Sequence, residues 1–149
     1  MSGALHGTVV ALDGDGVVLR GPSGAGKSDT ALRLLAEGWQ VVADDRFLLE
    51  PRAGDLLATA PAALSGLLEV RGLGIIRLEP GQVCAVAPLR LVVELVGDPA
   101  MVERMPERDF FHHAGIRVPL IRLYPFRVSA TAVLTLALAV ARDPDKLVE

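Results

Sequence analysis

Gly21, Pro22, Ser23, Gly24, Ala25, Gly26, Lys27 and Ser28 read G-x-x-x-x-G-K-S, the spacing of a phosphate-binding P-loop. A loop that wraps a phosphate must turn several backbone N–H groups inward, and glycine takes those angles without a Cβ clash. The lysine sets a point charge between the outer phosphates of a nucleotide, and the serine offers its hydroxyl to Mg²⁺. A helix starting at the loop adds the positive end of its dipole. The motif says that phosphate is bound, not what becomes of it. Asp44 and Asp45 are the next candidates. Two adjacent carboxylates can serve Mg²⁺ or take a proton from a nucleophile, and they can equally make a turn. Glu69 and Arg71 sit among apolar residues, ahead of Gly72 and Gly74. Periodicity reads them as an exposed pair on a strand followed by a bulge. His6 reads as a strand-end histidine.

These residues need elements to hold them. Gly16–Arg20 is apolar enough for a strand leading into the loop, and Ala31, Leu34, Leu35 and Gly38 fall at helical spacing after it. Leu5–Leu12 reads as a strand that returns through Asp13-Gly14-Asp15-Gly16 as a hairpin. Gln40–Ala43 is a short apolar strand ending at Asp44. In P-loop folds such a strand is expected beside the loop strand, with its C-terminal end at the phosphates. Residues 47–59 suggest a second hairpin turning at Gly54-Asp55, and 61–66 a loop with a helical turn. Residues 83–95 look like two strands broken at Pro88, and 98–109 is charged and irregular. His112-His113 reads as part of a polar loop with no third metal ligand at useful spacing. Residues 118–123 read as a strand. Ser129 is placed to cap a final helix, Ser129–Arg142, whose apolar run predicts a buried helix. The order strand, loop, helix predicts an α/β fold: a P-loop kinase domain with a mixed central sheet and flanking helices.

The composition narrows the function. With 149 residues, 51% hydrophobic and 22% charged, the chain suits one domain with a packed core. A net charge of −3 without a basic run argues against a nucleic-acid partner. Cys84 is the lone cysteine, which excludes an internal disulfide. The apolar run Val128–Ala141 is too short to span a bilayer, so no membrane role and a cytoplasmic location are expected.

His6-Gly7, the P-loop, Val42-Ala43-Asp44-Asp45 and above all Glu69-Val70-Arg71-Gly72-Leu73-Gly74-Ile75-Ile76 resemble the catalytic domain of HPr kinase/phosphorylase. The resemblance implies an ATP-dependent protein-serine kinase acting on an HPr-like phosphocarrier protein, with a reverse, phosphorolytic activity. It implies that residues 21–28 hold the nucleotide phosphates and that Ser28 and Glu69 ligate Mg²⁺. Asp45 would accept the serine proton, with Asp44 beside it either as a metal ligand or as a carboxylate supporting the ligands. His6 would support the aspartates, and Arg71 with its glycines would close over the phosphoryl group. An arginine of the irregular segment would contribute to catalysis; Arg104 matches best by its distance to Val118-Pro119, and Arg108 is second. A homo-oligomer, a hexamer in the family, is also implied.

The chain departs from the family pattern in places. The arginine-bearing stretch linked with phosphorylase activity is reduced here to Pro125 and Arg127, with Val128-Ser129-Ala130 after it. Kinase activity is therefore expected to exceed phosphorylase activity. The family's N-terminal domain is expected to be absent, leaving residues 1–149 as a single catalytic domain. Two other readings compete: a P-loop kinase of small molecules, and a non-catalytic nucleotide-sensing module. No arginine-rich lid supports the first, and the acidic residues argue against the second.

Overall fold

Runs of valine and leucine build the centre of the molecule. A computed structural model describes residues 3–148. In it β1 (Leu5–His6), β2 (Thr8–Leu12) and β3 (Asp15–Arg20) are followed by the P-loop and α1 (Lys27–Ala36). Then come β4 (Gln40–Ala43), β5 (Arg46–Arg52), β6 (Asp55–Thr59), β7 (Leu67–Val70) and β8 (Gly74–Arg77). The last elements are β9 (Ala87–Leu95), β10 (Asp109–His113), β11 (Ile116–Leu123) and α2 (Ala130–Arg142).

The sheet runs β1-β5-β6-β9-β3-β2-β4, and β11 also pairs with β9 and carries β10 on its outer edge. β3 pairs in parallel with β9, and β9 in parallel with β11. The other pairings in the sheet are antiparallel. One side packs Val17, Leu19, Leu91 and Val93 against Ala31 and Leu34 of α1 and Leu134 and Leu138 of α2. The other side packs Val9, Val18 and Val92 against Phe47, Leu49, Leu56 and Ala58. The β5–β6 hairpin thus covers one face while the helices cover the other, and each face buries alternate residues of the central strands.

Several expectations are corrected. The strand ending at Asp44 is not beside the loop strand: β4 pairs with β2, which lies between them. Two antiparallel pairings in succession leave β4 parallel to β3, so its C-terminal end still reaches the P-loop. The 83–95 region holds one strand, β9, with Pro88 as its second residue. Residues 112 and 113 lie in β10, not in a loop. The first hairpin strand breaks at Gly7, where β1 leaves for β5. Ser129 occupies the N-cap position without a side-chain capping bond. The last helix is not buried all round: Leu134 and Leu138 are buried, whereas Leu136 and Val133 face solvent. Among the described residues, no helix is long and apolar enough to cross a membrane.

At the end of β3 away from the P-loop, four charged residues close on one another. Asp15 accepts from Arg90 Nε at 3.2 Å and from Arg142 Nε at 2.7 Å. Arg90 Nη1 also donates to Asp55 at 2.9 Å, and Arg142 Nη2 to the Leu12 carbonyl at 2.6 Å. Burial pushes the Asp15 carboxyl up. The hydrogen bonds and charges of Arg142 and Arg90 outweigh it and hold the group below its ordinary value of 3.8. This cluster pins the C-terminal turn of α2 to the sheet.

Candidate active site

The P-loop takes the shape its sequence predicts. Gly24 and Gly26 have φ of 83° and 99°, the left-handed region where a side chain is strained. α1 begins at Lys27, so its first N–H groups point at the loop. The Lys27 ammonium donates to the carbonyls of Gly21 and Pro22 at 2.6 and 3.0 Å. It folds back over its own loop.

Asp44 is the hub. Its Oδ1 accepts from Ser28 Oγ at 2.8 Å and from Thr8 Oγ1 at 3.0 Å, and its Oδ2 from the Glu69 backbone N–H at 2.9 Å. One carboxylate thereby joins the P-loop helix, β2 and the β7–β8 hairpin. Asp45 follows at φ 70°, a conformation that aspartate tolerates better than most side chains. Its carbonyl accepts from Gly7 N–H at 3.0 Å, and its side chain is exposed. The turn holds Asp44 inward and presents Asp45 to solvent.

The remaining candidates are brought near to different degrees. Glu69 lies in β7 with its backbone on Asp44 and its side chain exposed. Arg71 sits in the tight turn between β7 and β8 and is exposed; the Leu73 N–H closes that turn on the Val70 carbonyl at 3.0 Å. Leu68 anchors this hairpin in the core. His6 is exposed in β1, opposite Arg46, and sits one residue before the Gly7 that bonds Asp45. Its ring makes no hydrogen bond to either aspartate among the described residues. Arg104 is not joined to the site: it lies in an exposed stretch, with Nη2 3.8 Å from the Met105 sulfur. Among the described residues no three His, Cys, Asp or Glu side chains cluster to hold a metal by themselves. The Ser28 hydroxyl and the Asp44 carboxylate, 2.8 Å apart, are oxygen donors of the kind that Mg²⁺ takes, an ion with few protein ligands that keeps its waters.

Two contributors escape the sequence reading. Thr8 is fully buried and supplies a hydroxyl to Asp44. The available signal is a polar residue at the head of an otherwise apolar strand. Arg20, just before the loop, pairs with Glu94 at 3.0 Å and lies 5.2 Å from the centre of the Phe111 ring. Glu94 is the penultimate residue of the neighbouring parallel strand, so the pair ties the entry of the P-loop to β9 and β10.

The sequence model described as HPr serine kinase C-terminal domain matches residues 1–140. The HPr kinase/phosphorylase of Clostridium tetani is 49% identical over 72 residues, which are 48% of this chain and 24% of that protein. That of Limosilactobacillus reuteri strain DSM 20016 is 47% identical over 74 residues, 49% of this chain and 23% of the relative. The match therefore spans about a quarter of the length of these curated relatives. The solved structure of the Hpr(Ser) kinase/phosphatase from Coxiella burnetii superposes with a TM-score of 0.77 over 97% of both chains at 24% identity, a likeness of fold.

Proposed function

Because this chain belongs to the HPr serine kinase C-terminal domain family, we propose that it transfers the γ-phosphoryl group of ATP to a serine of an HPr-like phosphocarrier. The observation that carries the proposal is the hub at Asp44. A P-loop serine, a buried threonine and the hairpin bearing Glu69 meet on one carboxylate, with Asp45 exposed beside it.

In this reading the backbone of residues 21–28 and Lys27 bind the triphosphate. Ser28, Asp44 and Glu69 would hold Mg²⁺, which supplies charge neutralisation between the outer phosphates. The serine hydroxyl of the acceptor attacks the γ-phosphorus. Its proton passes to Asp45, the bond from the γ-phosphorus to the β–γ bridging oxygen breaks, and ADP departs with that electron pair. Arg71, in a glycine-flanked turn on a two-stranded hairpin, is placed to add positive charge over the transferring group. His6 supports the Asp45 turn through Gly7. A catalytic part for Arg104 would need its segment to move toward the loop.

The forward reaction is expected to dominate. Val128-Ser129-Ala130 offers no cation beyond Arg127 to aim inorganic phosphate at a phosphoserine. The test is to incubate the protein with labelled ATP, Mg²⁺ and an HPr-type phosphocarrier and to locate the modified residue by mass spectrometry. Label on a serine of the carrier supports the reading, and a carrier left unlabelled refutes it. Efficient pyrophosphate release from phosphorylated carrier and phosphate would refute the predicted direction.

A further inference from the structure

A groove beside the P-loop has no residue with a part in the forward transfer described above. It lies between α1 and the segment joining β11 to α2, holds about 620 Å³, and includes Asp29, Arg33, Phe126, Arg127, Val128 and Thr131 in its lining. That volume is within the range of small-molecule sites. Two apolar side chains border it in the open: Phe126 is 56% and Val128 101% exposed. The segment is nevertheless held. Arg33 Nη2 donates to the Pro125 carbonyl at 2.6 Å, Arg33 Nε lies 3.2 Å from Asp29 Oδ2, and Tyr124 meets the Phe126 ring edge-on with centroids 5.6 Å apart. Phe126 also reaches the phosphate loop: a Cβ built on Gly26 would lie 3.2 Å from its Cζ.

Resting on the kinase reading, we propose that this groove seats the purine base of the nucleoside triphosphate, stacked on Phe126. The sheet order supplies the direction. From β3, β4 and its Asp44 lie two strands to one side, across β2. β11, which leads to Phe126, lies two strands to the other side, across β9. Neighbouring strands are about 4.8 Å apart, so each flank is roughly 10 Å from the loop strand. A triphosphate laid across the loop with its last phosphate toward Asp44 and Asp45 directs its ribose and base toward Phe126. The protein acceptor must reach the same phosphate from the Asp45 side, which leaves the Phe126 side to the nucleotide. A purine has an apolar face for the ring and a polar edge. Asp29 can accept from an exocyclic amine on that edge, and Arg127 can donate to its ring nitrogens.

The test measures binding of ATP, and of inorganic tripolyphosphate as a probe without a base, to the full chain by calorimetry. Wild type should bind ATP more tightly than tripolyphosphate. Phe126→Ala should weaken ATP about tenfold, the scale of one base–aromatic stack, and leave tripolyphosphate unchanged. Phe126→Trp should keep ATP affinity and show indole quenching by ATP but not by tripolyphosphate. Equal losses for both probes in Phe126→Ala would overturn the proposal, since Phe126 would then act only on the shape of the loop at Gly26. Unchanged ATP binding with a raised KM for the carrier would overturn it in favour of a protein-docking groove. Wild type binding tripolyphosphate as tightly as ATP would overturn the base site and leave the phosphate cradle standing. Binding of neither would overturn the kinase reading as well.

Discussion

The two ends of β3 use the same residue types in opposite ways. At one end Asp15, Asp55, Arg90 and Arg142 satisfy one another. At the other, Asp45, Glu69 and Arg71 make no ion pair among the described residues. Asp44 is engaged by two hydroxyls and an N–H rather than by a cation; Lys27 rests on two carbonyls, and Arg20 pairs with Glu94 behind the loop. A charge neutralised inside the molecule holds structure and has little left to offer a ligand. Charges left open to solvent can meet phosphate, metal and acceptor. The difference teaches that the first end should govern stability and the second turnover, with little exchange between them.

Lys27→Ala is the severest challenge to that division. It should eliminate turnover, by more than about 10³-fold, because a charge clamp on the transferring phosphates is lost. The melting temperature should stay near wild type; a variant that kept wild-type activity would remove the P-loop from the mechanism. Asp45→Asn comes next. Asparagine tolerates the left-handed turn and cannot take the proton, so kcat should fall ~10²–10⁴-fold with ATP affinity nearly unchanged. Asp44→Asn should act mainly through Mg²⁺, raising the concentration needed for half-maximal turnover. Turnover profiles against Mg²⁺ for both variants decide the matter: rescue of Asp45→Asn and not of Asp44→Asn by added metal would exchange the two roles.

At the opposite end the expected effects are smaller and fall on stability. Asp15→Asn should lower the unfolding free energy by about 1–3 kcal/mol, since two arginines lose a charged acceptor, and leave kcat untouched. A comparable loss of kcat would show that the two ends are coupled. The pH dependence sharpens the point. The folded Asp15 carboxyl lies below its ordinary value of 3.8, so the folded state binds fewer protons in that window and stability rises with pH there. Its contribution is complete above the ordinary value and is lost as pH falls through the lower, folded one. Denaturant melts taken downward from pH 5 should show a steeper acid decline in wild type than in Asp15→Asn.

How much of this was legible in the sequence follows the range of the interactions. The P-loop, its strand and its helix are contiguous, so type and spacing specify them. The Asp44-Asp45 pair was readable because it ends an apolar run. Thr8 was not, because its partner lies 36 residues away and one threonine carries no periodic signal. The Asp15–Arg142 contact spans 127 residues and was equally invisible. Helix α2 shows a different limit. Its residues are apolar almost throughout, so composition could not say that Leu134 faces the core and Leu136 faces water. The sequence points to β4 beside β3 because the intervening β2–β3 hairpin changes the strand order without disturbing any local pattern.

The convergence on Asp44 also bears on how the protein would acquire the proposed activity as it folds. Its donors come from β2, α1 and β7, at separations of 36, 16 and 25 residues. Each contact closes a long loop, and such closures cost chain entropy before they return any energy. Partly folded chains can therefore hold a formed α1 and a formed β2–β3 hairpin while the acidic pair still lacks its orientation. Competence should appear late and all at once: in a refolding experiment, helical signal should return before ATP turnover does. A protease that clips between β4 and β7 should extinguish turnover before it melts the central strands.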